Sequence, residues 1–104
     1  MILEIADIRI TAGSNSAFEA AIDQAARQVL SKASGFRHYQ IHHSIESPQR
    51  YVLQVGWDTV EDHTVGFRQS PAFAQWRALI GPFFAEPPMV EHFNLLGASG
   101  QARA

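Results

Sequence analysis

FRHYQIHHSIESPQRYVLQVGW, residues 36–57, is the stretch whose reading decides the fold. From Phe36 to Glu46 the residues alternate, with Tyr39, Ile41, His43 and Ile45 facing one way and His38, Gln40, His42 and Ser44 the other. Side chains on a strand point to opposite faces at period two, so this segment reads as a strand. Ser47-Pro48-Gln49 is a turn, and Arg50 to Trp57 resumes the alternation with Tyr51, Leu53, Val55 and Trp57 on one face. Two such runs joined by so short a connection predict a hairpin.

Upstream of the hairpin, Phe18, Ile22, Ala25, Val29 and Ala33 recur at steps of four and three, which places them on one stripe of a helix over about 17–33. Ser16 followed by Glu19 has the spacing of a capping box, and Gly35 supplies a left-handed stop. The opening segment, Ile2 to Thr11, reads as a strand with Ile2, Ala6, Ile8 and Ile10 on one side. Downstream, Glu61-Asp62 suits the positive end of a helix dipole, and Ser70-Pro71 is a second helix start, so a broken helix is expected. Its second part carries Phe73, Trp76, Leu79 and Ile80 on one stripe and stops near Gly81-Pro82. A last strand follows from about Met89 to Leu96.

The order β-α-β-β-α-β is a split βαβ unit repeated once. It predicts an α+β, ferredoxin-like subunit whose four-stranded antiparallel sheet carries both helices on one face. Residues 1–96 are expected to form a single domain and residues 97–104 a tail. The helix-free face would present Val52, Gly56, Val90 and Leu96 to water, and back-to-back pairing of two sheets removes that exposure, so a homodimer is the physical expectation. The tail has nothing with which to build an element and is expected to lean on a neighbouring chain.

With 104 residues, 46% of them hydrophobic and 17% charged, the chain can bury a real core. Its net charge of −2 lacks the clustered Lys and Arg that nucleic acid or an anionic membrane rewards, so neither is expected as a partner. No apolar run approaches the ~20 residues needed to span a bilayer, and no signal-peptide pattern opens the chain, so a cytoplasmic location is expected. Zero cysteines remove disulfides, thiolate metal sites and cysteine nucleophiles. The phosphate-binding patterns G-x-G-x-x-G and G-x-x-x-x-G-K do not occur.

Five histidines invite a metal reading. His38 and His42 share a strand face but stand about 13 Å apart at ~3.3 Å per residue, too far for one ion, and His42 and His43 point to opposite faces. No metal site is expected. The serines occupy caps and turns, and none stands in a G-x-S-x-G elbow. What remains is a group of aromatics that are mostly core, yet those between the helices and the sheet would line a cavity for a flat hydrophobic ligand. Tyr39, Trp57, Phe67, Phe73, Trp76 and Asn94 are the expected substrate-binding residues, with Trp57 and His63 bordering one cavity. Phe67, Phe83 and Phe84 are large enough to fill it instead.

His63 is the leading candidate for a general base, because a neutral imidazole accepts a proton near neutral pH. Glu61 and Asp62 favour its charged form while the positive helix end disfavours it, so the sequence leaves the sign of its pKa shift open. His43, on the same strand face as Tyr39, is the second candidate, and His92 the third.

Gly56-Trp57-Asp58-Thr59-Val60-Glu61-Asp62-His63, followed by Phe67-Arg68-Gln69-Ser70-Pro71-Ala72-Phe73, resembles the W-x-S/T-x-E-x-H…S-x-x-F signature of the antibiotic biosynthesis monooxygenase family. Gly35 with Tyr39-Gln40-Ile41-His42 is similar to that family's G-x-x-x-Y-E-L-H strand, and the likeness runs to Glu91-His92-Phe93. The resemblance implies a dimeric α+β barrel with a pocket between helices and sheet in each subunit. It implies cofactor-independent oxygenation of phenols and quinols, in which the substrate anion passes an electron to dioxygen with no metal or flavin. The chain departs from the family at Val55, where many relatives have Glu, at Gly66 and Phe67, where a second histidine is frequent, and at Ala72, where S-P-H is common. A haem-degrading branch uses an Asn in the first strand, and this chain offers Asp7 but no Asn there, which demotes haem.

The expected function is therefore monooxygenation of a small aromatic phenol or quinol by a homodimer without a cofactor. Two alternatives stand beside it: a dimeric module that binds a small hydrophobic ligand without turning it over, and an isomerase or cyclase of the same fold.

Overall fold

The computed structural model describes residues 1–97 and 99–103; Ala98 and Ala104, both within the expected tail, lie outside the described residues. Four strands, β1 (Ile2–Arg9), β2 (Phe36–His43), β3 (Arg50–Trp57) and β4 (Met89–Asn94), form one antiparallel sheet in the order β2-β3-β1-β4. Helices α1 (Asn15–Gln28) and α2 (Pro71–Ile80) pack on one face of it. This is the predicted ferredoxin-like arrangement.

Alternation decides which residues enter the core. Ala6, Ile8 and Ile10 from the first strand segment and Tyr51, Leu53, Val55 and Trp57 from β3 are all buried against the helices. In α1, Phe18, Ile22 and Ala25 complete the layer, and Trp76 and Ile80 do so from α2. The β1–β3 register sets Glu4 opposite Val55, and the β1–β4 register sets it opposite His92. Glu4 thus sits inside the apolar face, between the two strands that border β1.

Several local expectations are corrected. The first helix runs over 15–28 and is followed by a tight turn at Leu30–Lys32, so it ends a turn earlier than its apolar stripe suggested. Ser16 and Glu19 form no capping box: Ser14 takes the N-cap position, its hydroxyl donates to the Thr11 carbonyl at 2.6 Å, and Glu19 instead accepts from the Tyr51 hydroxyl at 2.5 Å. Strand β2 stops at His43, which leaves Ile45 90% exposed beyond it. Val90 lies on the helix side, opposite Ala6, because β4 pairs with β1 in that register, and Leu96 lies past the strand's end. The helix-free face is built instead from Leu3, Ile5, Val52, Gly56, Met89 and Phe93.

The break expected in the second helix is a π-helical segment, Asp62–Phe67, ahead of α2. Its widened turn is closed by the Arg68 amide donating to the His63 carbonyl at 2.9 Å. A reciprocal pair opens it: the Thr59 amide donates to the Asp62 carboxylate and the Asp62 amide to the Thr59 hydroxyl. Gly35 sits beneath that carboxylate with φ +83°, where a Cβ would overlap Asp62. Ser70 and Pro71 then start α2 as the sequence predicts.

Candidate functional site

Three elements deliver side chains to one spot. His63 turns inward from the π-helical segment, Glu4 rises from β1 and His92 from β4. Glu4 and His63 are respectively 5% and 4% exposed. Burying a carboxylate is costly unless its oxygens are satisfied, and here Oε1 accepts the Trp57 indole Nε1–H at 2.9 Å and lies 3.4 Å from His63 Nε2. The other imidazole nitrogen, Nδ1, shares a hydrogen bond of 2.8 Å with His92 Nε2. The His63 ring also stacks on the indole of Trp57, with centroids 5.3 Å apart and planes 17° from parallel.

Burial drives the protonation states. It pushes the His63 imidazole down to about 4, helped by the positive charges of Arg68 and His92, so the ring is neutral near pH 7. Burial likewise lowers His92, with Arg68 acting in the same direction. For Glu4 burial raises the carboxyl, opposed by the Trp57 hydrogen bond and the Arg68 charge. The sign that the sequence left open for His63 is therefore downward.

A cavity of about 870 Å³ opens beside this group, between the sheet and α2. That is within the range of small-molecule sites. Ala6, Ile8, Leu53 and Val55 form its floor, Phe67, Phe73, Trp76 and Ile80 its roof, and Glu4, His63, Arg68 and Arg77 its principal polar groups. Phe67 and Phe84 stand in the wall rather than filling the space.

Of the residues singled out from the sequence, His63, Phe67, Phe73 and Trp76 come together on this cavity. Trp57 is fully buried and supports His63 from behind. Tyr39 packs near Phe36 on β2, away from the cavity wall, and Asn94 is exposed at the end of β4. His43 lies at the hairpin end, stacked on Tyr51 with centroids 4.4 Å apart and donating from Nε2 to the Pro48 carbonyl at 2.7 Å. Glu4 was missed. The signal was available, since residues 2, 4, 6, 8 and 10 share a face and a carboxylate in that apolar row has to be held by something.

Among the described residues no group of three His, Cys, Asp or Glu side chains could hold one metal ion, because His63 offers different nitrogens to its two partners. No helix among the described residues is long and apolar enough to cross a membrane.

Comparison with known proteins places the fold that carries this site. Residues 1–79 match the family described as antibiotic biosynthesis monooxygenase. The chain is 39% identical over 94 residues to the uncharacterized protein YczJ of Bacillus subtilis, covering 90% of this chain and 98% of that one. A Bordetella bronchiseptica protein that carries the antibiotic biosynthesis monooxygenase name superposes with a TM-score of 0.87 at 46% identity, over 91% of this chain and 96% of its own. SnoaB of Streptomyces nogalater, a cofactor-independent oxygenase, shares the fold alone, with a TM-score of 0.78 at 11% identity over 96% and 97% of the two chains. With its fold and three quarters of its length matched in this way, the chain belongs to the antibiotic biosynthesis monooxygenase family.

Proposed function

We propose that the cavity takes a small aromatic phenol or quinol and that the protein oxidises it with dioxygen, using no resident metal or flavin. The observation that carries this reading is the buried Glu4–His63 pair in the wall of an otherwise largely apolar cavity. A flat ring fits between the floor and the aromatic roof, while the pair removes the hydroxyl proton. Arg68, in the same wall, supplies the positive field that favours a phenolate. Its electron-rich ring then passes an electron to dioxygen. For an anthrone the balance is a ring CH₂ converted to C=O, with one oxygen atom entering the product and the other leaving as water.

His63 carries the role rather than His43, whose Nε2–H is committed to the hairpin carbonyl of Pro48. Phe67, Phe73 and Trp76 hold the ring, and Trp57 fixes His63 and Glu4. We propose further that two copies pair through the helix-free sheet face, where Met89 is 74% and Phe93 43% exposed.

A dioxygen-uptake screen with hydroquinones and anthrones tests the reading. Uptake above the spontaneous rate, lost in His63→Ala, is the expected result. One observation favours a second reading, hydrophobic-ligand binding without turnover: both His63 nitrogens already have partners. Saturable binding of an anthrone with no dioxygen consumed would select it.

A further inference from the structure

We infer that Glu4, His63 and His92 form a proton path from the cavity to solvent, in which Glu4 is the buried acceptor, His63 the link and His92 the exit. The geometry is a row of polar atoms: Glu4 Oε1 lies 3.4 Å from His63 Nε2, a long contact that shortens when a proton crosses it, and His63 Nδ1 shares a hydrogen bond of 2.8 Å with His92 Nε2. Its inner end lines the cavity and its outer end is half-exposed on the edge strand β4. No hydrogen bond within the described residues occupies His92 Nδ1.

Only one proton fits between the two rings, so the chain has two settings. With Glu4 ionised, His63 carries its proton on Nε2, facing the carboxylate, and His92 donates from its own Nε2 to His63 Nδ1. With Glu4 protonated, His63 Nε2 becomes the acceptor, Nδ1–H donates to His92 Nε2, and the proton of His92 moves to Nδ1. Going from the second setting to the first, the Glu4 O–H breaks as His63 Nε2–H forms. The His63 Nδ1–H breaks as His92 Nε2–H forms, and the His92 Nδ1 proton passes to water. One proton leaves and neither ring is charged at the end.

This route suits a buried site. Storing the proton on Glu4 removes a buried charge, whereas storing it on His63 creates one. The charged and titratable groups facing His63 are Glu4 from β1, His92 from β4 and Arg68 at the end of its own segment, and Arg68 opposes an imidazolium. Trp57, from β3, keeps Oε1 in place in both settings through its indole N–H. The use of the path to clear a ligand's hydroxyl proton rests on the function proposed above. The coupling of the two tautomers does not.

Nitrogen NMR of the histidine rings distinguishes the Nδ1–H from the Nε2–H form and tests the coupling directly. In the wild-type protein, lowering the pH should flip His63 and His92 together, at one midpoint above the usual carboxylate range, with neither ring becoming imidazolium in that step. Glu4→Gln, whose side-chain oxygen stays under the Trp57 N–H and accepts from His63 Nε2–H, should hold both rings in the high-pH setting until the rings themselves protonate, while its amide spectrum remains that of the wild type. Separate midpoints for the two rings, imidazolium at His63 in the first step, or identical tautomers in wild type and Glu4→Gln throughout would overturn the path. Coupled flips in a protein that consumes no dioxygen with an anthrone would leave the path standing and remove the oxygenase reading alone.

Discussion

His63 is the residue where burial has its clearest consequence. Its imidazole goes from the ordinary ~6.5 in the unfolded chain to about 4 in the folded one. A depressed folded value means that the unfolded chain binds more protons between those limits. Stability is full above pH ~6.5, falls as the pH drops to about 4, and changes no further below it. At ~1.4 kcal/mol per unit the loss is roughly 3 kcal/mol at most. Glu4, raised by burial, acts oppositely: its contribution is present below the unfolded value and lost as the pH rises through the folded one. Urea midpoints of Glu4→Gln, which lacks that opposing effect, should therefore fall between pH 6.5 and 4, and a flat profile would contradict the depressed imidazole. His63 itself was legible in the sequence from its place after a conspicuous Trp57. Glu4 was legible only as the one charged member of an apolar row; its partners were not, because they come from segments remote in the chain.

Among the elements, the hairpin and α1 are joined by a polar lock. The Tyr51 hydroxyl donates to Glu19 at 2.5 Å and accepts from Asn15 at 2.9 Å, while Asn15 also donates to the Pro48 carbonyl at 2.7 Å. Tyr51→Phe removes the hydroxyl from both bonds and is expected to cost about 1–2 kcal/mol in chemical denaturation, with the sheet retained. The second element-scale prediction concerns Gly35, which combines φ +83° with the Asp62 carboxylate overhead. Gly35→Ala must strain the backbone and push Asp62 off Thr59, so a loss of roughly 2–4 kcal/mol is expected from the same measurement. A change under about 0.5 kcal/mol would mean that the turn relaxes freely. Strands and helices were readable because alternation and spacing are local signals, whereas Gly35, expected to stop the first helix, takes its left-handed conformation in the turn before β2, well past the helix end at Gln28. The cap of α1 was misread since Ser14 and Ser16 are equivalent in sequence, and the turn at Thr11 chooses between them. A π-helical segment has no signature in spacing at all, so only a break could be foreseen.

At the scale of the whole molecule, one sheet face is covered by helices and the other carries Leu3, Ile5, Val52, Met89 and Phe93 around the Asp7–Arg50 ion pair. Light scattering at micromolar concentration is expected to give twice the 11.5 kDa chain mass, and Phe93→Glu should shift it toward one. A wild-type mass of one chain at all concentrations would rule out pairing. The antiparallel α+β plan was legible from element order, whereas the cavity was not, because the sequence shows which aromatics are inward but not whether they close over the space between them. The proposed reaction is oxygenation of an electron-rich ring in this cavity through the Glu4–His63 pair. Its most direct measurement is mass spectrometry of the product formed from an anthrone under dioxygen labelled with heavy oxygen, with wild type and His63→Ala compared against the spontaneous reaction. One labelled atom in the product, formed about 10²–10⁴ times more slowly by the variant, is the predicted result. Product formed no faster than without protein, or at the same rate by both proteins, would contradict it.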